Sequence, residues 1–105
     1  MELARVEGHV VATAKSNRLE GYKLLLVQLL EPDLSETNKY FVALDTVGAG
    51  EGEVVIIVRG SSARQSEKLS NVPTDTSIVA IVDSLEMHGK ILFKKHHKEQ
   101  KSRTK

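Results

Sequence analysis

An all-β fold, a small closed barrel of five to six short strands with one brief helix, is what this sequence predicts. Three observations lead there. Apolar runs of strand length recur along the chain, at residues 22–30, 40–45, 53–59 and 77–85. Turn-forming clusters separate them. Two of these, Val47-Gly48-Ala49-Gly50-Glu51-Gly52-Glu53 and Arg59-Gly60-Ser61-Ser62-Ala63-Arg64, bracket the run Val54-Val55-Ile56-Ile57-Val58. The chain has 105 residues and is 40% hydrophobic, enough for one modest core and one domain.

The first strand is read over residues 3–13, rich in Val, Ala and Leu, with Gly8 marking a bulge or bend. A polar loop, Lys15 to Gly21, leads into residues 22–30. That run is apolar almost throughout, so its strand is buried on both faces or lies at an interface. Pro32, Asp33, Ser35 and Asn38 make residues 31–39 a loop. Strands follow at 40–45 and 53–59. Residues 61–68 suit one or two helical turns, with Ser61 or Ser62 as N-cap and Ala63, Arg64 and Gln65 as helix formers. Pro73-Thr74-Asp75 turns the chain into a fifth strand over 77–85. His88-Gly89 signals a tight turn, and residues 90–93 form a short last strand suited to pairing with a neighbouring subunit. Closure of such short strands removes exposed edges, and the OB-like arrangement fits this pattern best.

Composition excludes several functions. There is no cysteine, which removes disulfides, thiolate metal sites and cysteine nucleophiles. Met1-Glu2-Leu3-Ala4-Arg5 opens no signal peptide, and the longest apolar run is far too short to span a bilayer. A cytoplasmic protein without membrane attachment is expected. The net charge of +1 hides an asymmetry: residues from 94 onward carry +5, so residues 1–93 carry −4.

A search for chemistry finds none. His9, His88, His96 and His97 show no metal-binding spacing. Ser61 and Ser62 lie in Gly-Ser-Ser-Ala-Arg, which departs from the GxSxG of a nucleophile elbow. Gly48, Gly50 and Gly52 follow GxGxG rather than GxGxxG, and Glu51 and Glu53 would repel a pyrophosphate. The glycines instead permit a tight turn or close packing against another chain. No catalytic residue, cofactor or metal is expected. An OB-type nucleic-acid-binding module using the basic tail is the alternative. Against it stand an acidic body and only four aromatic residues, Tyr22, Tyr40, Phe41 and Phe93.

The ordered series of motifs resembles the EutN/CcmL family, the pentameric vertex proteins of bacterial microcompartment shells. It comprises Leu3-Ala4-Arg5-Val6-x-Gly8, Val10-Val11-Ala12-Thr13-x-Lys15 and Lys23-Leu24-Leu25-Leu26-Val27-Gln28. It continues through Val42-Ala43-Leu44-Asp45-Thr46-Val47-Gly48-Ala49-Gly50, Gly52-Glu53 and Val58-x-Gly60-Ser61-Ser62-Ala63-Arg64. Pro73-x-Asp75 and Ala80-Ile81-Val82-Asp83 complete it. The resemblance implies an OB-like vertex domain over residues 1–93; the tail over 94–105 departs from it in being longer and more basic, and its composition is that of a disordered extension. The resemblance further implies a non-enzymatic homopentamer around a narrow axial channel, filling the five-fold corners of a shell tiled by hexameric proteins. Gly48, Ala49, Gly50, Gly60, Ser61, Ser62, Ala63 and Arg64 are then expected at the pentamer interface or channel. Arg64 is expected to donate to a carboxylate, with Asp45 and Glu53 as candidates, and Arg5 and Arg59 offer further charge pairs across the interface. The pathway enclosed is left open.

Overall fold

Alternation along each strand decides what is buried, and the sequence alternates well enough to fill one barrel. The computed structural model describes residues 1–13, 22–60 and 75–95. Seven strands are present among them: β1 (Glu2–Val10), β2 (Lys23–Leu30), β3 (Glu36–Asp45), β4 (Val54–Arg59), β5 (Thr76–Ile81), β6 (Ser84–Met87) and β7 (Lys90–Lys94). The first five close into a barrel in the order β1-β2-β3-β5-β4, with β4 returning to β1; β6 and β7 form a separate two-stranded hairpin. All barrel pairings are antiparallel except β3 with β5, which runs parallel through Leu44↔Ser77 and Asp45↔Ile78. This is the closed all-strand barrel that the sequence predicts. The helical turn expected at 61–68 lies outside the described residues.

The core is the inside of the barrel. Ala4 and Val6 from β1, Leu25 and Val27 from β2, Ala43 from β3, Val55 and Ile57 from β4 and Ile78 from β5 are all buried and in one cluster. Ala49, from the loop after β3, joins them. Leu29, Phe41 and Ile81 pack against the cluster from its ends. The alternate residues point outward. On β2 these are Leu24 and Leu26, half-buried on the outer wall, so this strand is apolar on both faces as its composition required.

Several boundaries move, each for a physical reason. Gly8 does mark a bulge: the β1–β2 register shifts between Val6 and Gly8. β3 begins at Glu36, inside the segment read as loop. Side chains compensate for its poor strand composition. Gln28 Nε2 donates to the Thr37 carbonyl at 2.7 Å, and the Thr37 hydroxyl donates to the Leu29 carbonyl at 2.7 Å. The turn before it closes by an Asp33 carboxylate that accepts from the Ser35 N–H and hydroxyl. The expected fifth strand divides into β5 and β6: Val82 N–H still bonds the Val54 carbonyl at 2.8 Å, but β4 begins at Val54, so the strand that β5 pairs with ends there. His88 and Gly89 both have positive φ, 56° and 76°, as a two-residue hairpin turn of the primed type requires. The last strand therefore pairs within its own chain, to β6. Strand pairing also reaches Lys94, and Lys95 N–H bonds the Asp83 carbonyl at 2.7 Å, so the chain stays tied to the fold just past the expected boundary at 93.

Leu25 is fully buried at the centre of β2. Leu25→Ala is expected to destabilise the chain by about 3 kcal/mol, read as a lowered urea midpoint with an unchanged slope.

Candidate functional site

The residues singled out from the sequence fall at the two ends of β4, about 17 Å apart along the strand. One group is the glycine loop that precedes β4. The other is the turn that follows it, where Gly60 has φ 71° and donates its N–H to the Asp75 carbonyl at 2.7 Å. Ser61, Ser62, Ala63 and Arg64 lie outside the described residues.

Asp45 builds the glycine loop. It ends β3 with its side chain almost wholly buried. Its Oδ1 accepts from the N–H groups of Val47 and Gly48, both at 3.1 Å, and its Oδ2 accepts from Ala49 at 3.0 Å. Three successive backbone donors on one carboxylate force the chain to curl around it. Gly48 adopts φ 79° inside that curl, a conformation that costs most other residues a Cβ clash. Lys23 closes the shell from β2, with its Nζ 3.5 Å from Asp45 Oδ2 and 3.1 Å from the Ala49 carbonyl. The curl drives Ala49 into the core.

Glu53 repeats the device one turn later. Its Oε1 accepts from Gly50 N–H at 2.6 Å, and its Oε2 lies 2.8 Å from Lys95 Nζ. That hydrogen bond holds the Lys95 ammonium above its usual range. The loop is stitched to β1 as well: Gly52 N–H donates to the Val6 carbonyl at 2.8 Å, and Val6 N–H to the Glu53 carbonyl at 2.9 Å. Asp45 and Glu53 thus organise their own chain. No sequence motif reported the roles of Lys23 and Lys95, because both partnerships span strands distant in sequence.

At the other end of β4, Arg59 donates to Glu2 on the neighbouring strand β1, Nε to Oε1 at 2.6 Å and Nη2 to Oε2 at 2.7 Å. The fork geometry suits a carboxylate. The same guanidinium sits 4.4 Å over the Phe41 ring, a cation–π contact. The hydrogen bond from Arg59, opposed by some desolvation, holds the Glu2 carboxyl below its usual range. Arg5 bonds Glu36 at 2.8 Å and lies 3.4 Å from Glu7. Arg5 and Arg59, expected to reach across an interface, therefore have partners within the chain.

Among the described residues no cluster of His, Asp or Glu could hold a metal ion, and no helix is long and apolar enough to cross a membrane. His9 is exposed. A groove of about 440 Å³ is lined by Leu3, Leu29, Leu30 and Ile56, together with Met1, Glu2, Glu31 and Pro32. Sequence reading missed this groove. Leu3 and Ile56 are paired across β1 and β4 but lie 53 positions apart in the chain.

Two outcomes follow. Asp45→Ala leaves three loop N–H groups without their acceptor and is expected to cost about 3 kcal/mol; Asp45→Asn, which keeps one carbonyl oxygen, about half of that. Urea unfolding of the three chains measures both. Because the folded Glu2 pKa is lowered, its pair with Arg59 stabilises fully above the unfolded pKa and is lost as pH falls through the folded value. The Tm gap between the unmodified chain and Glu2→Gln is expected to be open at pH 7 and to close on acidification below about pH 4.

Comparison with known proteins agrees with the barrel and its loops. The family described as "Ethanolamine utilisation protein EutN/carboxysome" matches residues 1–83. The bacterial microcompartment shell vertex protein EutN of Escherichia coli is 40% identical over 95 residues, which covers 90% of this chain and all of that protein. The carboxysome shell vertex protein CcmL of a Nostoc species is 43% identical over 96 residues, covering 90% of this chain and 95% of that one. Among solved structures, Gloeobacter violaceus CcmL superposes with a TM-score of 0.85 at 37% identity, over 90% of this chain and 98% of that one. The GrpN pentameric microcompartment shell protein of Rhodospirillum rubrum gives 0.75 at 46% identity, over 83% and 99%. With the family matched over residues 1–83 and relatives at 40% and 43% identity over 90% of its length, this chain belongs to the EutN/CcmL family.

Proposed function

We propose that this chain is a structural shell protein that assembles as a homopentamer and caps the five-fold vertices of a bacterial microcompartment. The observation that carries this reading is the likeness to a shell vertex protein along that protein's entire length, at 40% identity. A structural relative at 46% identity is described as pentameric. The physics of the chain agrees. A single small barrel has a modest core, and its outer wall keeps half-buried leucines on β2 that gain from cover by a neighbour. A head-to-tail interface that rotates by a fifth of a turn closes into a ring.

On this reading the role is structural rather than catalytic, and hexameric shell proteins are the neighbours that tile the facets. On the same reading Gly48, Gly50 and the turn at Gly60, Ser61 and Ser62 belong to the subunit interface or the axial channel, where small residues keep an opening clear; Ala49, expected with them, is wholly buried in the core of its own chain and is available to neither. Arg64 is assigned a bond to a carboxylate or carbonyl across the interface. Of its candidate partners Glu53 stands ahead of Asp45, whose oxygens already accept three backbone N–H groups. Residues 96–105 are read as a basic, solvated tail. The nucleic-acid alternative has no counterpart in the descriptions of the relatives, which are shell proteins.

Native mass measurement tests the reading. Five chains of 11.6 kDa give a species of about 58 kDa. Arg64→Ala is expected to shift part of the population to smaller species at the same concentration. A monomer that persists at high concentration overturns the ring, and a hexamer moves the protein from the vertex to the facets.

A further inference from the structure

The β6–β7 hairpin stands apart from the barrel. The substantial contacts between strands fall either within the barrel or within the hairpin. Its base is fixed, by Val82 N–H to the Val54 carbonyl, by Lys95 N–H to the Asp83 carbonyl and by the Lys95–Glu53 ion pair. Beyond that base it is a two-stranded ribbon, which is at best marginally stable in water by itself. Its exposed residues are also apolar where solvent favours polar ones. Ile91 is 63% exposed and Leu92 40%. The β6–β7 register shifts between Leu85 and Glu86, where Phe93 and then Ile91 are the partners, so Leu92 is the extra, unpaired residue of a bulge. A bulge at this position turns a side chain away from the pleat and outward. Lys90 and Lys94 flank the pair and are exposed.

The outer barrel wall carries the complementary feature. Ala4, Val55 and Ile57 point into the core, so Leu3 and Ile56, between them on their strands, face outward. With Leu30 and Pro32 they line the apolar groove, to which Glu31 and Glu2 also contribute, Glu2 being already paired with Arg59. No hairpin residue lines the groove, so the chain does not fill it with its own hairpin. An apolar knob with cationic flanks and an apolar groove with acidic residues in its lining are thus displayed on different parts of one chain.

We propose that the β6–β7 hairpin of each subunit docks into the Leu3–Leu30–Ile56 groove of the next, with Ile91 and Leu92 on the apolar floor and Lys90 and Lys94 toward its acidic residues. The occupant is a second copy of this chain. Knob and groove are different surfaces, so the contact is heterologous and repeats around a ring. The inference rests on the ring reading above and names the contact that holds it. It also gives the hairpin the third surface that a two-stranded ribbon lacks.

The natural chain has no cysteine, so introduced thiols report without background. Ile91→Cys combined with Pro32→Cys, treated with a short bis-maleimide, is expected to give a ladder of covalently joined chains up to five. Each single variant is expected to give no species beyond a dimer. Separately, Ile91→Asp with Leu92→Asp is expected to raise the concentration at which the ring dissociates at least about tenfold, while circular dichroism stays barrel-like. A pentamer of the double-cysteine chain that yields no ladder overturns the docking and leaves the ring intact. Failure of the unmodified chain to form a pentamer overturns the ring reading itself, and the docking with it.

Discussion

The barrel depends on how β3 ends. It closes between β3 and β5 over only two register positions, Leu44↔Ser77 and Asp45↔Ile78. Asp45 occupies the second of these with its backbone. With its side chain it gathers the N–H groups of Val47, Gly48 and Ala49. The next residue, Thr46, adds a hydroxyl bond to the Ile78 carbonyl at 3.0 Å. One short stretch therefore shuts the barrel, shapes the glycine loop and seats Ala49 in the core. A carboxylate tolerates such burial only when it is well bonded, and among the described residues no buried side-chain polar atom lacks a partner.

The tight stitching around this point explains the distribution of charge. The described arginines and several lysines are committed within the chain, Arg5 to Glu36, Arg59 to Glu2, Lys23 to Asp45 and Lys95 to Glu53. The pairs link strand to strand and strand to loop, so they secure the geometry of one subunit. The apolar residues that the barrel core does not take up include the outer leucines of β2, Leu3 and Ile56 in the groove, and the hairpin's Ile91 and Leu92. Apolar contact is non-directional and scales with area, which suits surfaces that must meet repeatedly in the same way.

Much of the fold was legible in the sequence. Apolar runs located β2, β4 and β5, and the glycines located the loop, the β1 bulge and the His88-Gly89 turn. Legibility failed where a distant partner decides the outcome. Residues 36–39 read as loop because Pro32, Asp33, Ser35 and Asn38 precede or occupy them. They pair because Gln28 and Leu29 offer them a side-chain donor and a carbonyl from the neighbouring strand. The break after Ile81 is similarly invisible, since it falls where β4, the strand that β5 pairs with, begins. For the candidate site, the sequence singles out Asp45 and Glu53 as partners for Arg64, whereas the backbone N–H groups and the lysines that they bind within the chain could not be read locally. The groove was unreadable for the same reason, being assembled from β1, β2 and β4.

The pairing of β1 with β4 has a consequence for how the chain is made. Glu2 meets Ile57, and Leu3 meets Ile56, across more than fifty residues. Folds dominated by such distant pairings reach the native state slowly, on the order of milliseconds to seconds. Until β4 and β5 arrive, β1 and β2 exist as a sheet with an open edge and with leucines exposed on both faces of β2. A synthesis rate that outruns closure would present many such sheets at once and favour their aggregation. The supply of competent subunits is then governed by the pace of chain closure as much as by the strength of the finished barrel.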